Sequence, residues 1–167
     1  GQTSCDGWGC YYNQRDSQWG SLLINGHDDC GFNGRSEPCA VAGYGCLITS
    51  VAMIVSHMGH KDILPSHIAT SDPNNFSLGT TADLKKTIAV NGVTISRVGT
   101  SLSPGQLESG PVIVGVYASG GTHFVVIKEY RDGQYYMHDP FQPGGKDVPF
   151  SYGSIFSVEK TIDVPTK

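Results

Sequence analysis

Gly43-Tyr44-Gly45-Cys46-Leu47-Ile48-Thr49-Ser50-Val51-Ala52-Met53 is the stretch that decides how this chain reads. A glycine-rich turn delivers a cysteine onto the first turn of an apolar helix. Leu47, Ile48, Val51, Ala52, Ile54, Val55 and Met58 recur at helical spacing, which predicts a helix over Cys46 to His57 with Gly59 as its C-terminal stop. Apolar residues nearly all round mark a buried central helix. The first N–H groups of a helix lack intrahelical acceptors and its dipole favours negative charge, so this position suits a thiolate, the nucleophilic form of cysteine. The opposing reading of a lone cysteine on an apolar helix is a small buried hydrophobe. The Gly-Tyr-Gly approach and the cysteine arithmetic favour the nucleophile.

That arithmetic leaves one cysteine over from five. Cys5, Cys10, Cys30 and Cys39 lie in loop-like sequence rich in Gly, Asn, Asp and Ser, and Cys46 lies on a helix. Four loop cysteines make two disulfides and point to an oxidising, extracytoplasmic compartment. Cys5 with Cys10 and Cys30 with Cys39 is the simplest of the three possible connectivities. Structural zinc is the competing use, but no Cys-x-x-Cys pair is present and the spacings fit no familiar site. No metal and no cofactor are expected. Asp28 and Asp29 beside Asn25 are too short a run for an EF-hand calcium loop.

The 167 residues suit a single domain able to close one core. A formal charge of −4 without any Lys/Arg cluster argues against nucleic-acid binding. No apolar run approaches ~18 residues, so no membrane span is expected. A signal peptide is expected to be either absent or already removed. The Asn75-Phe76-Ser77 sequon is a common chance occurrence.

Around the central helix the chain divides into three. Residues 1–45 form a disulfide-bearing N-terminal segment with a loop from about Ser21 to Gly45. Residues 46–110 form a helical part, with a short helix opening at Ser66, another from Thr81 to Val90 stopped by Asn91 and Gly92, and a very short one after Ser103-Pro104 ending at Gly110. Residues 111–162 form a β-sheet part. Its strands are Val112 to Tyr117, His123 to Tyr130, Gln134 to His138 and Ile155 to Ile162, with Asp132-Gly133 as a hairpin signal. Val93 to Val98 is a further strand candidate. Helices first and an antiparallel sheet afterwards is an α+β layout.

In such a layout the thiol at the helix start can meet a histidine on a strand. His123, in Gly121-Thr122-His123-Phe124-Val125, is the candidate base, and Asp139, in His138-Asp139-Pro140, emerges from the hairpin beside it and can hold its imidazole. His138 is the alternative base. Asp139 before Pro140 is also an ordinary turn signal. His57, His60 and His67 read as surface residues near helix ends, and Trp19 as a core or lid anchor.

Tyr12-Asn13-Gln14-Arg15-Asp16-Ser17-Gln18-Trp19-Gly20, Gly45-Cys46 with Thr49, Ser50, Ala52 and Met53, Gly121 with His123 to Val126, and His138-Asp139-Pro140 together resemble the bacteriocin-processing, double-glycine leader peptidases and their papain-like relatives. The likeness runs from Tyr12 to about Pro140. It implies a papain-like fold, with the nucleophile helix packed on an antiparallel sheet. It gives Cys46 the role of nucleophile, His123 of base, Asp139 of orienter, and Gln14 of oxyanion donor together with the Cys46 N–H. Leader-trimming members usually sit in the cytosol fused to a transporter. The apparent disulfides and the loop between Gln14 and Cys46 bring this chain nearer to stand-alone secreted relatives.

The expected activity is that of a secreted, monomeric cysteine hydrolase acting on a peptide or protein substrate through a thioester. Acyl transfer of the transpeptidase or transglutaminase kind differs only in whether an amine or water reaches that thioester. A non-catalytic extracellular binding module of the same fold is the alternative from another class.

Overall fold

A short helix α1 (Val41–Tyr44) breaks at Gly45, and α2 (Cys46–His57) follows at once. A Cβ on Gly45 would lie 2.7 Å from Cγ1 and from the carbonyl oxygen of Val41, so only glycine lets the chain turn this tightly into α2. Every residue from Leu47 to Ser56 is buried. Each large apolar side chain among them contributes roughly 1.5–3 kcal/mol of burial. The polar ones are mostly accommodated: Ser50 Oγ donates to Phe124 O (3.4 Å), while Ser56 Oγ donates to Met53 O (2.7 Å) and accepts Cys10 N–H (2.8 Å). The computed structural model from which these distances come describes residues 3–31, 36–70, 88–118 and 121–162.

Before α1 lies a small hairpin of β1 (Ser4–Cys5) and β2 (Cys10–Tyr11). After α2 come α3 (Pro65–Ala69), β3 (Ile88–Val90), β4 (Val93–Gly99), a 3-10 turn over Pro104–Leu107, β5 (Val112–Ala118), β6 (Gly121–Arg131), β7 (Gln134–His138), β8 (Val148–Pro149) and β9 (Ser154–Ile162). Strands β3 to β9 form one antiparallel sheet in the order β3-β4-β9-β5-β6-β7-β8. The architecture is α+β, with few helices and one large sheet.

Both faces of the central strands are covered. Ile113, Phe124 and Val126 pack with α2, while Val112, Val114, Val116, Val125, Ile127, Met137 and Val158 form a second core under Leu102, Leu107, Phe150 and Tyr152. This two-sided burial explains why β5 and β6 read as continuous apolar runs rather than as alternating ones.

Several expectations need correction. The part expected to be helical, 46–110, contains β3 besides β4, which matches the strand candidate Val93 to Val98. The helix expected from Thr81 to Val90 ends instead as strand at Ile88–Val90, and its earlier residues lie outside the described ones, as does the Asn75 sequon. Asn91 (φ 51°) and Gly92 (φ 82°) are a two-residue hairpin turn between Val90 and Val93, the counterpart of Asp132 (φ 53°) and Gly133 (φ 78°) between β6 and β7. Asn-Gly stops a helix and turns a hairpin with the same left-handed backbone, and pairing with β4 decides between the two. The stretch from Ser21 to Gly45 is not loop throughout, because α1 and a 3-10 turn at Ile24–Gly26 interrupt it. His57 is not a surface side chain: its Nδ1 bonds Trp8 O at 2.7 Å and its ring packs on the Trp8 ring.

Cys5 is bonded to Cys10 and Cys30 to Cys39, which leaves Cys46 as the free thiol. Intact mass after denaturation and alkylation should therefore gain one adduct without reductant and five with it. Three or more adducts without reductant would contradict this pairing. Among the described residues no helix is long and apolar enough to cross a membrane.

Candidate active site

The first turn of α2 lies beside the opening residues of β6. Ser50 reaches Phe124 O, and Cys46, one turn earlier, shares a cleft with Gly121, Thr122 and His123. Cys46 is half-buried. Among the described residues no backbone acceptor takes its N–H, as expected at a helix start.

Asp139 is the first residue beyond β7, and the β6–β7 pairing carries it to His123. His123 Nε2 donates to Asp139 Oδ1 at 2.8 Å, which leaves Nδ1 for the sulfur. Asp139 is fully buried. Its Oδ1 also accepts Phe141 N–H (2.9 Å) and its Oδ2 accepts the Tyr152 hydroxyl (2.5 Å). Burial alone would raise this carboxyl, but the hydrogen bond and charge of His123 and the donors Tyr152 and Phe141 hold it below the ordinary carboxylate value. For His123 burial favours the neutral ring. Hydrogen bonds and charge from Asp139 and Cys46 outweigh it and push the imidazole up to about 9.

The segment after Asp139 is clamped from the far end of the chain. Asp139 N–H bonds Gly145 O (2.9 Å), Tyr11 Oη donates to Asp139 O (2.6 Å), and Asn13 Nδ2 donates to Gln142 O (2.9 Å) and to Tyr11 Oη (3.0 Å). A Cβ on Gly145 would strike Asp139 O and lie 3.0 Å from both Gln142 O and Tyr11 Oη, so the clamp closes only around glycine.

Gln14 belongs to the same construction. Its N–H bonds Pro140 O at 2.7 Å, and Trp19 Nε1 bonds the preceding Asn13 O at 2.8 Å, so Trp19 acts as the core anchor of this segment. Gln14 Nε2 donates to Ala42 O (3.0 Å), with Val41 O farther off at 3.4 Å, and its Oε1 is buried without a partner among the described residues. Gln14, Cys46, His123, Phe141 and Tyr152 line one cleft of about 530 Å³.

All four residues singled out from the sequence, Cys46, His123, Asp139 and Gln14, thus converge. His138 does not join them. It sits edge-on to Trp8 and Tyr11, its Nδ1 accepts Asp147 N–H at 3.0 Å, and burial, helped by the Lys128 charge, lowers it to about 3. Sequence reasoning missed Tyr152, which lines the cleft, bonds Asp139 and packs its ring 5.6 Å from that of His123. No periodicity or motif marks it within Phe150-Ser151-Tyr152-Gly153. Tyr11 was passed over for the same reason, and Asn13, although it stands in the Tyr12 to Gly20 run, was given no role.

A hydrogen bond to a charged group is worth about 1.5–3 kcal/mol, so Tyr152→Phe should lose about that much stability in denaturant titration. Its Asp139 carboxyl, short of one donor, should titrate higher. The acid limb of stability then moves to higher pH, because a depressed carboxylate contributes above its unfolded value and the contribution is lost as pH falls through the folded one. Unchanged stability and an unchanged acid midpoint would contradict the role of this bond.

A free thiol at a helix start, a histidine held by a buried carboxylate and a nearby amide donor are parts that acyl chemistry through a covalent intermediate can use. Among the described residues no group of three or more His, Cys, Asp or Glu is placed to hold a metal ion. No family model, no curated protein and no solved structure matches the chain, so the functional reading rests on this geometry.

Proposed function

We propose that this chain is a papain-like cysteine hydrolase, secreted, that cleaves a peptide or amide bond. The observation that carries the reading is His123, shared between Cys46 at the start of a buried helix and the fully buried Asp139. Its attacking group is the Cys46 thiolate paired with the His123 imidazolium. The imidazolium then protonates the leaving amine, and as neutral imidazole it activates water against the thioester. Asp139 holds the ring with Nδ1 toward the sulfur. The Cys46 N–H and Gln14 Nε2 take the charge that develops on the carbonyl oxygen. The Gln14 amide nitrogen carries two hydrogens, so its bond to Ala42 O at 3.0 Å fixes the side chain beside the cleft and leaves a second N–H to donate. The two disulfides support an oxidising compartment. Resemblance to stand-alone secreted relatives of the double-glycine leader peptidases agrees with both features.

The test is a peptide-library digest analysed by mass spectrometry, with Cys46→Ala as control. New termini that require Cys46 support hydrolysis, and ligated products that require it reassign the enzyme to acyl transfer. An unmodified library and a Cys46 no more reactive to iodoacetamide at pH 6 than a free cysteine would leave only a binding module. In the same assay Gln14→Ala should fold, remain alkylatable at Cys46 and lose roughly 10²–10³ in kcat with little change in KM, because the donor acts on charge formed in the transition state. Full turnover by that variant would move the oxyanion role elsewhere.

A further inference from the structure

Among the described residues, a cation that the triad does not use lies beside the cleft, over one of its lining rings. Arg15 follows Gln14, and its backbone is held by the bond from its N–H to Asn13 Oδ1 at 2.9 Å. Its exposed guanidinium lies over the Phe141 ring, with Cζ 4.8 Å from the centroid. That ring lines the cleft and stands edge-on to His123, with centroids 6.2 Å apart. Among the described residues Arg15 has no ion-pair partner, since the neighbouring Asp16 carboxylate is occupied by Thr3 Oγ1 (2.9 Å) and Gln18 N–H (3.0 Å). No Asp, Glu, Lys or Arg is among the residues that line the cleft.

Resting on the hydrolase reading, we infer that Arg15 sets specificity on the leaving-group side, and that the preferred substrate carries a carboxylate within the first three residues after the cleaved bond. The leaving amine must reach His123 to be protonated, so the chain that departs runs past the His123 ring toward Phe141. The two centroid distances put the guanidinium no more than about 11 Å from the imidazole, the span of about three extended residues at ~3.4 Å each. Stacking on Phe141 restricts the guanidinium and leaves its planar N–H fork free for a carboxylate. An acidic side chain and a free C-terminal carboxylate present the same group, and the assay separates them.

A mixed peptide library is digested by wild-type protein, Arg15→Gln and Arg15→Lys, once with free and once with amidated C-termini. Wild type should cut bonds followed within three residues by Asp or Glu roughly three- to tenfold more often than those followed there by Asn or Gln, or show that preference for cuts within three residues of a free C-terminus over an amidated one. Arg15→Gln should erase the preference and Arg15→Lys should keep part of it. A wild type without the preference, or an Arg15→Gln that retains it, would overturn the inference. Retention of the same peptides on immobilised Cys46→Ala protein, with and without Arg15→Gln, gives a reading free of turnover. Carboxylate-dependent retention without any cleavage would fault the hydrolase reading alone, and retention indifferent to Arg15 would overturn the Arg15 assignment.

Discussion

His123→Ala should lower kcat/KM by roughly 10⁴–10⁶-fold while the protein still folds. Among the described residues the imidazole bonds both the sulfur and the carboxylate, so in the proposed mechanism its removal takes away the thiolate's counter-charge, the acid for the leaving amine and the base for water in one step. Loss of a residue that works as part of such a unit costs nearly as much as loss of the whole unit. Iodoacetamide should also alkylate Cys46 far more slowly in the variant at pH 6. In the wild type the pH profile follows from the ring's environment. An imidazole raised from 6.5 to about 9 in the folded protein contributes stability that is fully present below 6.5 and is lost as pH rises through about 9. Activity carried by the imidazolium should therefore fall on the alkaline side near pH 9. A His123→Ala variant within tenfold of wild type, or a wild-type alkaline limb near 6.5, would contradict this account.

Asp139→Ala should cost about 3–5 kcal/mol of stability, because it strips a buried partner from an ion pair and leaves the Tyr152 hydroxyl and Phe141 N–H without their acceptor. Turnover should drop by roughly 10²–10⁴-fold as the imidazole loses its orientation. Asp139→Asn separates geometry from charge. Its amide oxygen can still accept from His123 Nε2, so the ring stays oriented, but the negative charge is gone and burial is less opposed. The alkaline limb should then move down from about 9 toward the ordinary histidine value. The pH profile of kcat/KM for the two variants, with urea titrations of each, checks both parts. An Asp139→Ala protein as stable as wild type would mean that the buried carboxylate is not the centre of this network.

Arg15 and Tyr152 come to the surroundings of His123 from distant parts of the chain. Tyr152 packs against His123 and bonds its aspartate, and Arg15 reaches the site through Phe141. Tyr152 holds the carboxylate, and Arg15 in our proposal reads the substrate. Their variants should accordingly differ in kind. Tyr152→Phe shifts stability and its acid limb, whereas Arg15→Gln changes which peptides are chosen.

What the sequence determined by itself was whatever is written within a few residues of chain. The apolar periodicity from Leu47 onward set α2 and its ends, Asp132-Gly133 set the β6–β7 turn, and the separation of four loop cysteines from Cys46 anticipated the disulfides. Cys46 and Asp139 stood out as candidates from the short runs around them, whereas Gln14, and the choice of His123 as base over an ordinary strand histidine, came from the resemblance. Tertiary structure alone decided the rest. Ile88–Val90 became strand because β4 lies beside it, a fact that the ambiguous Asn91-Gly92 could not encode. Tyr11, Asn13 and Tyr152 joined the site only when the N-terminal segment, the loop after β7 and the approach to β9 were brought together. Periodicity and turn chemistry report how a segment folds on itself. Hydrogen bonds between residues 13 and 142, or 139 and 152, exist only after the sheet has closed, and they leave no periodic mark on the chain that makes them.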